Sequence, residues 1–293
     1  LSYRDLLKKV EVSVSRLVDI FRLKFFYMKL ITGKGLEFEE LREYTSNDDA
    51  SMIDWNATAR TGEPYVKVFK EERKLDVVFI VDVSNTMLLG TTQYLKADYA
   101  ALMTGILSFA ALATGDKSGL IMFSDHVKAF IEPSLASDQF FTMMKLIATR
   151  ELYGGGKGLK NVIKLALETF SQDSVVFFLS DFIATDVEHL QHAVEKMVNK
   201  FYRVFGMMIR DPRDSYLPAG VGEMLLADPI TGDVRLVNID KIRDKFNEMA
   251  AREERLVERA FKSNGAEFLK IYTSQDMVKV LAKYIQGIEE EME

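Results

Sequence analysis

Asp82, Ser84 and Thr86 stand two residues apart in FIVDVSNTM (79–87), where an apolar run gives way to a polar loop. A second aspartate, Asp181, follows another apolar run in FFLSDF (177–182), and YGGGKGL (153–159) sets Lys157 behind three glycines. Three short oxygen side chains on one tight loop, with a carboxylate from elsewhere, suit Mg²⁺, which takes oxygen ligands octahedrally and keeps several waters. In that arrangement the hydroxyls of Ser84 and Thr86 bind the ion directly, and Asp82 and Asp181 bind it through water. The plainer reading has Asp82 capping the next helix, with Ser84 and Thr86 as turn residues. Two aspartates placed after two buried strands favour the ion site.

Lys157 points to other chemistry. A phosphate-cradling loop needs Gly-x-x-x-x-Gly-Lys followed by Ser or Thr. Here Glu151 stands at the first glycine position and Gly158 at the hydroxyl position, so that loop is not expected. An ammonium between Asp82 and Asp181 would instead supply the positive charge that two close carboxylates lack. It would weaken or replace a magnesium ion, because two cations at one point repel. The opposing reading lets the long side chain reach water and leaves the ion site usable.

These residues need strands and helices to position them. LDVVFIV (75–81), SGLIMF (118–123), SVVFFL (174–179) and YRVFGMMI (202–209) are continuous apolar runs, as strands buried on both faces are, and EFLKIY (267–272) is a weaker example. Helical patterns fill 92–114, 137–148, 159–171, 186–199, 240–263 and 274–288. The alternation predicts an α/β fold with a doubly wound, mostly parallel sheet. Ligands of such sheets sit beyond the carboxyl ends of the strands, so the three loops converge if 75–81 and 174–179 are neighbours.

Residues 1–75 are read as an N-terminal helix and a small extra subregion, and 76–293 as the α/β domain with a hairpin insertion at about 211–240. The helix is expected to run over 1–31, from the spacing of Leu6, Leu7, Val10, Val14, Leu17, Val18, Phe21, Phe25 and Met28, and to pack on the domain. The insertion carries three prolines and a turn at Asp228–Asp233. Trp55 and Ile53 are expected in the core. Asp48, Asp49, Asp54 and Arg60 are expected in a polar network beside Trp55, with a partner-facing surface as the alternative. His189 and His192 are read as surface residues.

The chain has 293 residues, 48% of them hydrophobic, which is ample for a core. A net charge of −6 argues against nucleic acid as a partner. No cysteine occurs, which excludes disulfides and thiolate chemistry and suits the cytoplasm, with a membrane-peripheral position as a variant. The most apolar stretch, 100–115, falls short of the roughly 20 residues a membrane span needs, and no transmembrane segment is expected.

FIVDVSNTM, the glycine loop and LSDF resemble the metal-ion-dependent adhesion site (MIDAS) of von Willebrand factor A domains, whose fold is Rossmann-like. GKGLEFEELREY (33–44), NDDASMIDWNATAR (47–60) and the DPRDSYLP and DPITGD segments resemble the domain of unknown function 58 family, over roughly 33–285. The resemblance implies a protein-binding role beside a MoxR-type AAA+ ATPase or its client, in assembly or maturation, and no enzymatic activity. The top face would engage an acidic side chain of that partner, through a bound cation that the partner's carboxylate helps ligate. Three departures stand out. Ser46-Asn47 replaces the family's Pro-Gly, Ser51 its usual arginine, and Lys157 the threonine that helps bind metal, so the adhesion site is degenerate.

Two other readings stay open. Asp82, Ser84, Thr86, Lys157 and Asp181 mimic the layout of haloacid-dehalogenase-type phosphatases, with Asp82 as nucleophile. However, Ser84 replaces the general acid/base aspartate, a loss of about 10²–10⁴ in rate. The other reading is a scaffold that binds through the N-terminal helix or the hairpin.

Overall fold

The computed structural model describes residues 2–16, 27, 30–31, 38–45, 53–69, 74–136, 138–228 and 231–290. Ten strands are described: β1 (Phe38–Glu43), β2 (Tyr65–Phe69), β3 (Asp76–Asp82), β4 (Lys117–Phe123), β5 (Val127–Ser134), β6 (Ser174–Ser180), β7 (Arg203–Arg210), β8 (Glu223–Ala227), β9 (Val234–Asn238) and β10 (Glu267–Tyr272). The helices are α1 (Tyr3–Arg16), α2 (Trp55–Thr61), α3 (Lys96–Thr114), α4 (Gln139–Ile147), α5 (Leu159–Thr169), α6 (Val187–Lys200), α7 (Pro212–Ser215), α8 (Ile239–Lys262) and α9 (Met277–Glu290).

Six strands form the main sheet, in the order β10-β7-β6-β3-β4-β5. All pairs are parallel except β4–β5. This is the doubly wound α/β sheet expected from the apolar runs. Strand residues alternate between two faces. Val77, Phe79 and Val81 share one apolar layer with residues of α1, α3, α4 and α9. Val78 and Ile80 share the other with residues of α5, α6 and α8. Both faces are covered, so the central strands carry no polar alternation. On the first face Phe79, Phe177 and Phe205 stack across three strands, with ring centroids 5.4 and 4.7 Å apart.

α3 is long and apolar enough to cross a membrane. In this fold it is the central core helix, and its buried residues include Tyr99, Met103, Ile106 and Leu107. Leu6 and Val10 of α1 are buried in the same layer. The amphipathic stripe therefore packs on the sheet domain as far as Arg16. Leu17, Val18, Phe21, Phe25 and Met28 lie outside the described residues.

The extra subregion contains an antiparallel β1–β2 pair and the short helix α2. Here an expectation fails. Trp55 is 69% exposed, whereas Ala57 is buried at 3%. Two residues along a helix turn the side chain by about 200°, so a seven-residue helix that buries Ala57 points Trp55 outward. Ile53 is half-buried and bridges to Val66. Asp54 accepts a hydrogen bond from the Ala57 amide at 3.0 Å and so caps α2. Arg60 is exposed, and Asp48 and Asp49 lie outside the described residues. The predicted hairpin is β8–β9, with exposed residues along most of its length.

Leu6→Ala should lower stability by about 2–5 kcal/mol, as a buried leucine does. Trp55→Ala should change it by no more than about 0.5 kcal/mol. Urea unfolding of both variants checks this, and equal effects would contradict the packing of α1.

Candidate functional site

β3 and β6 pair in register, Val81 against Leu179. Asp82, at the end of β3, and Asp181, just after β6, therefore leave adjacent strands, and both are fully buried. The loop after the short 3₁₀ turn Arg150–Leu152 crosses above them. Its backbone is tied down by Gly154 N–H to the Val83 carbonyl (2.8 Å), Asn85 N–H to the Gly155 carbonyl (3.0 Å) and Gly158 N–H to the Ser124 carbonyl (2.5 Å). Gly155 sits at φ +92°, and a Cβ on Gly158 would lie 2.2 Å from the Asp125 carbonyl oxygen. The glycines let this loop lie flat on its neighbours. No phosphate is needed to explain them.

Lys157 turns inward. Its ammonium donates to Asp181 Oδ1 and to the Ile183 carbonyl at 3.0 Å, and lies 3.2 Å from Asp82 Oδ2. The side chain is 8% exposed. Asp82 has further partners: Oδ1 accepts from the Ser84 amide at 2.8 Å and Oδ2 from Ser180 Oγ at 2.6 Å. Ser84 Oγ and Thr86 Oγ1 are 3.2 Å apart and buried. The structure thus brings together the five residues read as one site in the sequence: Asp82, Ser84, Thr86, Lys157 and Asp181. The oxygens present suit Mg²⁺ by type. The place against both carboxylates holds a lysine nitrogen.

A second ammonium went unnoticed in the sequence. Lys96 opens α3, is fully buried, and donates at 2.8 Å to both Asp181 Oδ2 and Asp214 Oδ2. A cation at a helix N-terminus opposes the macrodipole. The two carboxylates outweigh that penalty. Its sequence signal is a lysine heading an otherwise apolar helix. Asp214 and Asp211 also join the site. Asp211 caps α7 and accepts from the amide and the hydroxyl of Thr91, each at 2.6 Å, tying the loop after β3 to the end of β7.

Burial alone would raise the pKa of Asp181, but the ammoniums of Lys157 and Lys96 overcome it and hold the carboxyl well below the ordinary range. Burial likewise pulls Lys157 down, and the charges of Asp82 and Asp181 more than reverse this, leaving it above the usual lysine value. The chain beyond Asp181 is strained, with Phe182 at φ +52° and Ala184 at φ +53°. The Lys157 bond to the Ile183 carbonyl falls between them. His189 and His192 are exposed and pair with Asp186 and Glu195, away from this site. Among the described residues, no group of three or more His, Cys, Asp or Glu could hold a metal ion.

A family model described as "Protein of unknown function DUF58" matches residues 40–256. An uncharacterized protein of Mycobacterium tuberculosis is 26% identical over 284 residues, 95% of this chain and 87% of its own length. Among solved structures, the conserved hypothetical protein BatB of Bacteroides thetaiotaomicron is 17% identical, with a TM-score of 0.47 over 74% of this chain and 99% of its own. The SpRpn10 VWA domain is 14% identical, with a TM-score of 0.40 over 72% of this chain and 95% of its own.

The cluster sets a pH window. Asp181, depressed in the folded state, adds stability that is complete above its unfolded value near about 3.9 and drains away as the pH falls below it. Lys157, raised, adds stability that is complete below about 10.4 and is lost as the pH rises towards its folded value. Lys157→Met should cost roughly 3–5 kcal/mol at pH 7, the usual result of stripping one partner from a buried ion pair. That deficit should narrow as the pH falls towards 4, because in the variant Asp181 has lost one of its two ammoniums and takes up a proton more readily. Urea midpoints across pH measure both effects, and a deficit independent of pH would exclude the electrostatic role.

Proposed function

Because the chain belongs to the DUF58 family, we propose that it is a non-enzymatic protein-binding module whose recognition surface is the C-terminal end of the parallel strands. The observation that carries this reading is the way Asp82 is held. A carboxylate nucleophile needs an oxygen free to attack. Asp82 is fully buried, its Oδ1 is bonded to the Ser84 amide, and its Oδ2 meets both Ser180 and Lys157. Ser84, where a phosphatase would need a second carboxylate, shares its hydroxyl with Thr86 instead. This favours a binding face over phosphoryl transfer.

In this proposal Lys157 replaces the magnesium ion of the adhesion site. Asp82, Ser84, Thr86 and Asp181 supply oxygens that could hold Mg²⁺, and the ammonium already sits against both carboxylates among them. The module then needs no cation to be in its binding form. The partner is a MoxR-type AAA+ ATPase or its client, in complex assembly or maturation, as the resemblance implies. The cytoplasm, with a position peripheral to the membrane, is the proposed location, and the cysteine-free composition supports it.

Mn²⁺ binding followed by electron paramagnetic resonance tests the replacement. Lys157→Thr should bind Mn²⁺ at least about tenfold more tightly than the parent, a difference of about 1.4 kcal/mol. Equally tight binding by both proteins ends the lysine reading.

A second reading has one observation in its favour. Leu225, Val234 and Leu236 on the β8–β9 hairpin are 69%, 60% and 63% exposed, an unusual apolar display that could itself seat a partner. Co-purification with the host's MoxR-type ATPase separates the two. Ile183→Asp on the strand-tip face should reduce retention about tenfold or more, and Leu225→Asp should leave it unchanged. The reverse result moves the interface to the hairpin.

A further inference from the structure

Beside the lysine–carboxylate cluster, the end of β7 and the middle of α8 enclose a pocket of about 490 Å³ that opens next to Thr86 and Ile183. Arg210, the last residue of β7, lines it and is 1% exposed. Its Nε and Nη2 are both buried and have no hydrogen-bond partner among the described residues. Among the described residues, the nearest carboxylate oxygen to Nε is Glu254 Oε1 at 3.9 Å, too far for a hydrogen bond. Glu254 is moreover engaged elsewhere, by Ser215 Oγ on Oε1 and by Lys270 Nζ at 2.9 Å on Oε2. Buried polar atoms of native proteins are nearly always paired.

The rest of the lining has a matching character. Met249, Arg252 and Leu256 follow one another at helical spacing on α8, and Met249 and Leu256 are 62% and 39% exposed. Arg213 adds a third guanidinium, and Asp214 and Glu253 contribute two carboxylates, so three positive charges against two negative leave one positive charge. A single negative charge balances it. We propose that this pocket receives an acidic side chain of a partner protein, flanked by apolar residues. The carboxylate pairs with the Arg210 guanidinium, Arg252 closes over it, and the neighbouring apolar side chains lie against Met249 and Leu256. The proposal rests on the strand-tip face being the recognition surface. It moves the partner's carboxylate from a metal ion to a guanidinium.

The test titrates the full chain with the peptide N-acetyl-Leu-Glu-Leu-amide and with its glutamine counterpart, followed by amide chemical shifts. The glutamyl peptide should bind about tenfold or more tightly, as a charge-assisted pair does over a neutral one. Arg210→Met should abolish the difference, and Arg252→Ala, an exterior change that leaves the core intact, should reduce it. Equal binding of the two peptides to the parent, including none by either, overturns the proposal. So does a difference that survives in Arg252→Ala and in a folded Arg210→Met. Inorganic phosphate that displaces the glutamyl peptide more strongly than acetate does would replace the carboxylate with a different oxyanion and overturn the assignment. The same variants in the ATPase co-purification keep the two claims apart. Retention that is lost in Ile183→Asp but unchanged in Arg252→Ala removes the pocket and leaves the surface.

Discussion

Two carboxylates at the tips of adjacent buried strands are untenable without a positive charge between them. Like charges about 4 Å apart, at an effective dielectric of about 20, repel by about 4 kcal/mol, a large part of the 5–15 kcal/mol that keeps a domain folded. In this protein the charge is covalently attached. The ammonium of Lys157 touches both Asp82 and Asp181, and that of Lys96 takes the remaining oxygen of Asp181. The loop that delivers Lys157 must then lie flat over Val83 and Ser124, which is what its glycines permit. A divalent ion could be lost to a chelator. A lysine cannot, so the geometry of this face is fixed when the chain folds.

The same charges join segments that are distant in sequence. Lys96 reaches Asp181 and Asp214, and Asp211 holds Thr91. The loop after β3, the start of α3, the tip of β6 and the turn after β7 therefore form one largely buried polar network, in which each member satisfies another. Next to this network Arg210 stands out, because its guanidinium is as buried as its neighbours and yet lacks their hydrogen bonds.

The sheet was legible because its central strands are buried on both faces, and DVVFIVD or SVVFFLS leaves little room for another assignment. β5 was not legible. As the antiparallel edge strand it is half exposed, carries Pro133, and lacks both a continuous apolar run and a clean alternation. Trp55 was misplaced because hydrophobicity gives no direction on a seven-residue helix, where the small Ala57 takes the inward position. Asp82, Ser84, Thr86, Lys157 and Asp181 were readable as a set because each follows a strand or a glycine turn. Lys96, Asp214 and Arg210 were not. A lysine at a helix start and an arginine at a strand end look like ordinary surface residues until the partners, 85 and 118 positions away in the case of Lys96, are folded against them.

The stacked rings of Phe79, Phe177 and Phe205 lie beneath all of this, one on each of β3, β6 and β7. β3 ends in Asp82 and β7 in Arg210, and Asp181 directly follows β6. Close-packed rings transmit displacement and absorb little of it, so the three tips behave as prongs of one stiff fork. Substitution can change what each prong carries. Altering the gap between the prongs would require rebuilding the aromatic keel below them.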